Sequence, residues 1–212
     1  MFKFEKKIFS KELTYDNNVI LKYRIEYPQI CVPYKRNEIR NFNIFNYDKA
    51  IKLKERVETE LFQDAIEIYK HNKENGYSVM VFEVYSNFEI TYSNDNTISL
   101  YIDEYFFTGG AHGNTIRSSQ NWDMKNGMLF KLKDFFPYDS DYILDILRKI
   151  VKQIEESIQD GDNIYFDDYC CLLIKTFNLN NFYLEDNYIV IYFQQYDIGP
   201  YVSGIITFKI KR

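Results

Sequence analysis

The sequence has few of the residues that build metal centres, disulfide frameworks and flexible linkers. Its 212 residues include 3 cysteines, 2 histidines, 8 glycines and 4 prolines. Cys170 and Cys171 are adjacent, where a disulfide would be strained, so no disulfide framework is predicted. With only His71 and His112 and no Cys-x-x-Cys pair, a zinc ion lacks a ligand set. We therefore predict neither a metal nor a cofactor.

Long apolar runs and an excess of positive charge are also missing. Nowhere do about 18 apolar residues follow one another, so no membrane span is expected, and the first ten residues lack the apolar segment of a secretory signal. As written, the chain predicts a cytoplasmic protein. The formal net charge is −5 and the isoelectric point is about 5.2. No overall positive field is available for a phosphate backbone, so nucleic acid is not expected as a partner.

The abundant residue types predict a folded, soluble protein. Hydrophobic residues make up 46% and charged residues 27% of the chain, as in ordinary globular proteins. Aromatic residues reach 18%, with 20 tyrosines and 18 phenylalanines. Such residues form stacking platforms for sugars or bases, and they also suit half-buried strands. The second interpretation is favoured, because tyrosine, phenylalanine, isoleucine, asparagine and lysine are raised together.

The hydrophobic pattern alternates between strand and helix periods. Alternating residues predict a hairpin over residues 8–32, and a period of 3.6 predicts a long helix from about Asn46 to His71. A second helix begins after Asp139–Asp141 and ends at Gly161, while residues 166–178 are ambiguous. Further strands are predicted over residues 77–92, 98–106, 116–124, 128–130, 182–184, 188–193 and 205–210. This order indicates an α+β fold with antiparallel sheets and two main helices packed on one face.

The first hairpin and the long helix occupy residues 1–76, and the remaining elements occupy residues 77–212. We expect the two parts to form one compact unit. No internal repeat divides the chain further.

One loop stands out between two predicted strands. Three of the chain's 8 glycines and one of its 2 histidines fall within five residues, from Gly109 to Gly113. Gly109, Gly110 and Gly113 permit positive φ and close backbone approach, and successive amides in such a loop can face an anion. Asn114 follows directly. We predict a candidate ligand-binding loop here.

His112 is the candidate reactive side chain of this loop. It is the one nearby side chain that exchanges a proton near neutral pH, and Asp103 and Glu104 lie just upstream. Proton transfer by His112 is one interpretation. The other, which we favour, is that the glycines form a tight turn and the imidazole stabilises it by hydrogen bonds to the backbone.

A second candidate surface spans residues 194–204. A strand ends there in a Gly-Pro break, and Asp197 and Tyr201 are displayed before the last strand. The alternative, again the favoured one, is a bulged crossover in which Tyr196 and Tyr201 pack and cap backbone groups. Nucleotide-binding glycine motifs and the Gly-x-Ser-x-Gly motif of serine hydrolases are absent. The sequence therefore gives no support to nucleotide binding or to serine hydrolase chemistry.

Several motifs in the second half of the chain resemble a known bacterial family. They are Phe106-Phe107-Thr108-Gly109-Gly110-Ala111-His112-Gly113, Asn121-Trp122-Asp123-Met124-Lys125-Asn126-Gly127-Met128, Lys131-Leu132-Lys133-Asp134-Phe135-Phe136 and Tyr196-Asp197-Ile198-Gly199-Pro200-Tyr201. This part is similar to the domain of unknown function that ends lysozyme-sensing anti-sigma factors of the RsiV type and accompanies peptidoglycan deacetylases of the PdaC type. Residues 1–76 resemble the companion domain that precedes it.

The resemblance implies a mixed sheet-and-helix module outside the cytoplasm that binds a protein or cell-wall partner and has no known catalysis of its own. The expected function is thus a non-enzymatic binding module of the cell envelope. Its ligand-binding residues would be Gly109, Gly110, His112, Asn114, Asp197 and Tyr201.

Two alternatives stay open. The first is a hydrolase of a cell-wall glycan or peptide, with His112 as general base and Asp103 or Glu104 as its partner. The second is a cytoplasmic protein that oligomerises through a sheet edge. The sequence leaves the oligomeric state and the identity of the partner undecided.

Overall fold

The computed structural model describes residues 2–31, 36–162 and 164–212. They form two β-sheets with helices packed against them, which confirms the predicted α+β class. The strands are β1 Phe4–Tyr15, β2 Asn18–Ile30, β3 Phe82–Ser93, β4 Thr97–Phe107, β5 Asn114–Asp123, β6 Met128–Leu129, β7 Phe182–Glu185, β8 Tyr188–Phe193 and β9 Ile206–Lys211.

The helices divide into a long N-terminal pair and a shorter C-terminal pair. The helices are α1 Asn37–Arg56, α2 Phe62–Glu74, α3 Tyr142–Gln159 and α4 Tyr169–Thr176. A π-helical turn, Val57–Leu61, joins α1 to α2 without a break, and two short 3₁₀ turns cover Leu132–Phe135 and Tyr201–Ser203.

The larger sheet has the order β1-β2-β3-β4-β5-β6, and the smaller has the order β7-β8-β9. Strands β1 and β2 form the predicted hairpin, closed by Asp16 and Asn17, which both have positive φ. Two such residues suit the tight turn whose twist matches that of the strands. Strand β3 then pairs with β2 in parallel, because α1 and α2 return the chain to the end of the sheet at which β2 begins. This parallel pair is an exception to the predicted antiparallel pairing.

The described residues form two compact units that interleave along the chain. The first runs up to Phe88 and takes in Ile102–Thr115; the second consists of Glu89–Tyr101 and Ile116–Arg212. Strands β3, β4 and β5 therefore each belong partly to one unit and partly to the other. The boundary predicted between residues 76 and 77 stays a prediction.

In the first unit, one apolar stripe of the long helical segment covers the hairpin and β3. Its core residues include Leu21, Ile25, Leu53, Val57, Leu61, Ala65, Phe82 and Val84. The helix begins nine residues before the predicted start at Asn46. Asn46 interrupts the stripe as a polar residue, yet it is buried, because its Nδ2 donates to the carbonyl oxygen of Phe42.

Strand β3 begins later than predicted, at Phe82 rather than Tyr77. The backbone N–H of Tyr77 donates to the carbonyl oxygen of Asn72, and Asn72 Nδ2 donates to that of Ser78. These bonds form a turn that ends α2. Tyr77 and Val79 alternate with polar residues, but both are exposed.

In the second unit, α3 packs on the smaller sheet, and the ambiguous segment after Phe166 contains the short helix α4. Ile146, Ile150 and Ile154 of α3 have no exposed surface.

A buried polar network joins β4 and β5 to β7 within this unit. Ser99 Oγ donates to Asn121 Oδ1 at 2.7 Å, Asn121 Nδ2 donates to the Phe182 carbonyl oxygen at 2.9 Å, and the Leu184 N–H donates to Ser99 Oγ at 2.8 Å. Each side chain of this network thus has a hydrogen-bond partner, as burial requires.

Candidate functional site

The glycine loop connects β4 to β5 in the first unit and is displayed to solvent. Gly109 has φ +102° and Gly110 φ +94°, values that side chains other than glycine rarely adopt. Gly110, Ala111 and His112 are exposed.

Both ends of this loop are held by close packing. A Cβ on Gly113 would overlap the ring of Tyr105, and a Cβ on Gly109 would touch Met80 at 3.4 Å. The Tyr105 ring in turn stacks on Tyr85, with 6.1 Å between ring centroids and 21° between planes. The exposed middle of the loop is therefore carried on a packed base.

His112 is exposed, and its Nδ1 lies 3.3 Å from the carbonyl oxygen of the next residue, Gly113. When Nδ1 carries the proton, it can donate to this carbonyl, as the structural interpretation of the loop predicts. Whether His112 binds a ligand or supports the turn stays a prediction.

The two carboxylates upstream lie on opposite faces of β4, because successive residues of a strand alternate. Glu104 shares its face with Phe106, whose ring lies 5.5 Å from the guanidinium carbon of Arg56. Burial raises the pKa of Glu104, against the opposing charges of Lys49 and Arg56. Burial likewise lowers the pKa of Lys49. Glu104 thus belongs to a half-buried charge cluster with two cations of the first helix.

The second candidate surface, which we call the aromatic corner, comprises Tyr196, Tyr201 and Val202 in the second unit. Tyr196 has φ +68°, which is rare for a bulky side chain. Tyr196 is 52% exposed, its ring centroid lies 5.9 Å from that of Tyr201, and Val202 is 88% exposed. The aromatic corner thus exposes aromatic and apolar side chains next to the strained backbone of Tyr196.

Polar contacts beneath the aromatic corner hold it in this conformation. The backbone N–H of Gln194 donates to Asp197 Oδ2 at 2.7 Å. Ser203 Oγ donates to the Ile164 carbonyl oxygen at 2.7 Å, and a Cβ on Gly199 would overlap that same oxygen. Burial raises the pKa of Asp197, while the bond from Gln194 opposes the shift. Asp197 therefore closes the turn beneath the two tyrosines.

Arg117 and Gln194 form a support that sequence reasoning missed. Gln194 Nε2 donates to the Arg117 carbonyl oxygen at 2.7 Å, and the Arg117 N–H donates to Gln194 Oε1 at 2.9 Å. The guanidinium of Arg117 lies 3.7 Å from the ring centroid of Tyr101. Since 77 residues separate the hydrogen-bonded pair, no local pattern could have indicated it.

The predicted site residues fall in two groups. The first unit contains Gly109, Gly110, His112 and Asn114, together with Asp103 and Glu104, and the second contains Asp197 and Tyr201. Within residues 2–31, 36–162 and 164–212, no group of three or more His, Cys, Asp and Glu side chains is arranged to hold a metal ion. None of the helices in these ranges has the length and apolar character needed to cross a bilayer.

Two protein families match the chain in succession. Residues 14–115 match the family described as "Deacetylase PdaC", and residues 133–212 match "Protein of unknown function (DUF3298)". The first match ends just after the glycine loop, and the second contains the aromatic corner. The two matches lie in the order that the sequence motifs indicated, but the glycine loop, which the motifs assigned to the second domain, falls within the first match.

A curated relative and two solved structures agree with these matches. The peptidoglycan-N-acetylmuramic acid deacetylase PdaC of Bacillus subtilis (strain 168) is 26% identical over 133 residues, which are 61% of this chain but only 28% of that protein. A DUF3298 family member from Bacteroides fragilis NCTC 9343 has a TM-score of 0.76 at 19% identity, with 99% of this chain and 90% of that chain covered.

A DUF3298 family protein from Pseudomonas aeruginosa PAO1 has a TM-score of 0.59 at 15% identity, with 99% and 91% covered. At these identities the two structures establish the shared fold. The successive family matches over residues 14–115 and 133–212 and the PdaC relative support a DUF3298/PdaC-type family domain.

Proposed function

We propose that the chain is a non-catalytic binding module of the bacterial cell envelope that recognises a cell-wall or protein partner. The observation that carries the proposal is the conformation of Tyr196. A bulky side chain at positive φ costs free energy, and such strain persists where the surrounding structure enforces it, often at ligand-binding positions. Here the strained residue displays an aromatic ring to solvent.

The glycine loop supports the same proposal from the first unit. Its exposed residues, Gly110 to His112, stand on a base packed around Tyr105. Binding residues are commonly found on loops that a rigid scaffold positions. We propose Gly109, Gly110, His112 and Asn114 as one binding surface, and Asp197 and Tyr201, with Tyr196, as another.

The envelope location rests on the PdaC relative, whose name refers to peptidoglycan. Only 28% of that protein aligns with this chain, so its deacetylase activity is not assigned here. The likeness to RsiV-type sensors, drawn from the sequence motifs, adds a protein partner as the second class to test.

The test is co-sedimentation of the purified protein with insoluble bacterial cell wall, and capture on immobilised lysozyme. Tyr196→Asn removes the ring and keeps a residue that tolerates positive φ, and His112→Ala changes the other surface. Tyr138→Asn is the matched control, because Tyr138 is fully exposed and lies outside both surfaces.

We expect the wild type and Tyr138→Asn to bind at least one of the two materials, and Tyr196→Asn or His112→Ala to bind it at least about tenfold more weakly. Circular dichroism must show all four proteins folded. Equal binding by every variant, or no binding by the wild type, would contradict the proposal.

A hydrolase is the second candidate, favoured by one observation. Burial raises the pKa of Glu104, which is the direction that a general acid needs. His112 would act as base, with Asp103 or Glu104 as acid or orienting group. Release of soluble fragments or acetate from cell wall, lost in both His112→Ala and Glu104→Gln, would favour the hydrolase over the binding module.

A further inference from the structure

The sheet of the first unit has a helix-covered face and an outer face with polar side chains. Tyr23 of β2 lies on the helix-covered face, because its hydroxyl donates to Glu58 Oε1 at 2.6 Å. Side chains alternate along a strand, so Lys22 lies on the outer face. Glu12 of β1 pairs with Lys22 in the hairpin register and shares its face. Tyr85 of β3 is one position past the register partner of Tyr23 and therefore also lies on the outer face.

A pocket of about 270 Å³ lies on this outer face. It is lined by Ser10, Lys11, Glu12, Lys22, Tyr23 and Tyr85. Lys11 and Tyr23 direct their side chains to Glu58 on the helix-covered face, so the backbone of these two residues forms the floor of the pocket. The small side chain of Ser10 leaves room above this floor. Since pockets for small molecules start at about 300 Å³, the space suits a ligand of about one six-membered ring.

Tyr85 provides an aromatic wall whose position is fixed from behind. It is 36% exposed, and its ring lies 6.1 Å from that of Tyr105, with 21° between the planes. The backbone of Gly113 packs against the same Tyr105 ring, where a Cβ would overlap it. The wall is thus held in place before a ligand arrives, which lowers the entropic cost of binding.

The charges at the pocket exclude a simple ion as its ligand. Lys22 Nζ lies 2.8 Å from Glu83 Oε1 on one neighbouring strand, and Glu12 is its register partner on the other. A cation would therefore meet Lys22, and an anion would meet the two carboxylates. A neutral ligand with hydroxyl groups can instead donate to Glu12 and accept from Lys22, which keeps both charges hydrogen-bonded.

We propose that this outer-face pocket binds one neutral pyranose ring of a saccharide. The apolar C–H face of the ring packs on Tyr85, and its hydroxyl groups bond to Glu12, Lys22 and Ser10. The pocket lies within the first unit and includes none of the residues proposed above as binding surfaces. Either proposal can therefore fail without the other.

Nuclear magnetic resonance titration of the isotope-labelled full chain tests the proposal. The probe is a soluble tetramer of β-1,4-linked N-acetylglucosamine, which is neutral. We expect saturable shifts of the backbone amides of residues 10–12, 22–23 and 85. Tyr85→Val suits a strand but removes the ring, and it should raise the dissociation constant at least about fivefold. Tyr188→Val is the matched control, because Tyr188 is 37% exposed on β8 of the second unit, and it should bind as the wild type does.

Ser10→Tyr gives a second test that leaves the wall intact. Ser10 is exposed on a strand, so the variant should fold, and its larger side chain should fill the pocket and abolish the shifts. Wild-type shifts that are absent or lie elsewhere, or unchanged binding by Tyr85→Val or Ser10→Tyr, would overturn the proposal.

Two further sugars define the ligand. Tighter binding of the cationic glucosamine tetramer would overturn the assignment of a neutral ring. Monomeric N-acetylglucosamine distinguishes the sources of such a ring: weaker binding than the tetramer assigns a glycan chain, and equal binding assigns a free sugar.

Discussion

Tyr196 and Gly199 lie three positions apart within residues 194–204 and are constrained in opposite ways. Tyr196 places a large side chain where the backbone favours none, whereas Gly199 has no side chain because the Ile164 carbonyl oxygen occupies the space. The density of glycine and proline in residues 194–204 indicated the corner from the sequence. The contact that excludes a side chain at Gly199 comes from Ile164, 35 positions away, and so was not predictable from the local pattern.

The glycines differ in what blocks a side chain, and their substitutions should differ accordingly. Gly199→Ala would force Cβ onto a backbone oxygen, whereas Gly113→Ala would meet only the tip of the Tyr105 ring, which can move. We expect Gly199→Ala to lower the free energy of unfolding by about 3 kcal/mol and Gly113→Ala by about 1 kcal/mol. Urea denaturation measures both, and equal losses would contradict the packing around Ile164.

Asp197 predicts a pH dependence of stability. Because burial raises its pKa above the ordinary value of 3.8, the folded state holds the proton more tightly than the unfolded chain does. This residue therefore lowers stability as the pH rises from the unfolded pKa through the folded pKa. Asp197→Asn cannot ionise and still accepts the bond from Gln194.

We expect Asp197→Asn to be more stable than the wild type at pH 7 and equally stable at a pH well below 3.8. Unfolding curves at several pH values measure the difference, with Asp139→Asn in an exposed turn as control. A difference that stays constant with pH would show that the carboxylate is not destabilised by burial.

Among the elements, the continuous helical segment from Asn37 to Glu74 was predicted only in part from its hydrophobic periodicity. The stripe from Ala50 to Ala65 was recognised because its residues are apolar, but the predicted last member, Ile68, is exposed and Tyr69 is buried in its place. The first turns were missed because Asn46 is polar and the bond that permits its burial lies within the helix itself. The parallel pairing of β2 with β3 was missed for another reason, since strand patterns carry no direction.

The π-helical turn in this segment provides a test at the same scale. A π-turn accommodates one extra residue in an α-helix. Deleting Glu60, which is 74% exposed, should convert Val57–Leu61 to an ordinary α-helix and change the free energy of unfolding by no more than about 1–2 kcal/mol. Deleting Glu67, which lies in regular helix, should cost more, because it turns the buried Tyr69 away from the core.

Chemical denaturation followed by circular dichroism measures both deletions. Thr59 Oγ1 donates to the Glu55 carbonyl oxygen in the π-turn, and Arg56 Nε lies 3.6 Å from Glu60 Oε2; the first deletion puts the first contact at risk and removes the second, which is an exposed ion pair of small energy. Equal destabilisation by the two deletions would mean that the π-turn is required for the packing of the first unit.

For the whole molecule, the main finding is that the two compact units interleave. Periodicity predicted a division between residues 76 and 77, where the long helix ends. The first compact unit includes Phe82 and Val84 of β3 in its core, and it also takes in Ile102–Thr115. Such long-range partners cannot be read from a local pattern, and the predicted division between residues 76 and 77 stays a prediction.

Two fragments test this organisation. Residues 1–76 lack β3, the neighbour of β2, and we expect them to lose cooperative unfolding. Residues 1–115 contain every residue of the first unit, and we expect them to retain it. Thermal unfolding followed by circular dichroism distinguishes the two fragments, and cooperative unfolding of residues 1–76 would support the predicted division instead.

The interleaving also sets an order of events during synthesis on the ribosome. The first unit is complete only once Thr115 has emerged, although its hairpin and helices emerge much earlier. Residues 89–101 belong to the second unit, whose strand β9 ends at Lys211, so this unit is complete only once Lys211 has also emerged. Folding from the N-terminus is thus interrupted in the middle of the chain, and the parts of β3 and β4 that belong to the second unit gain their partners later than the parts that belong to the first.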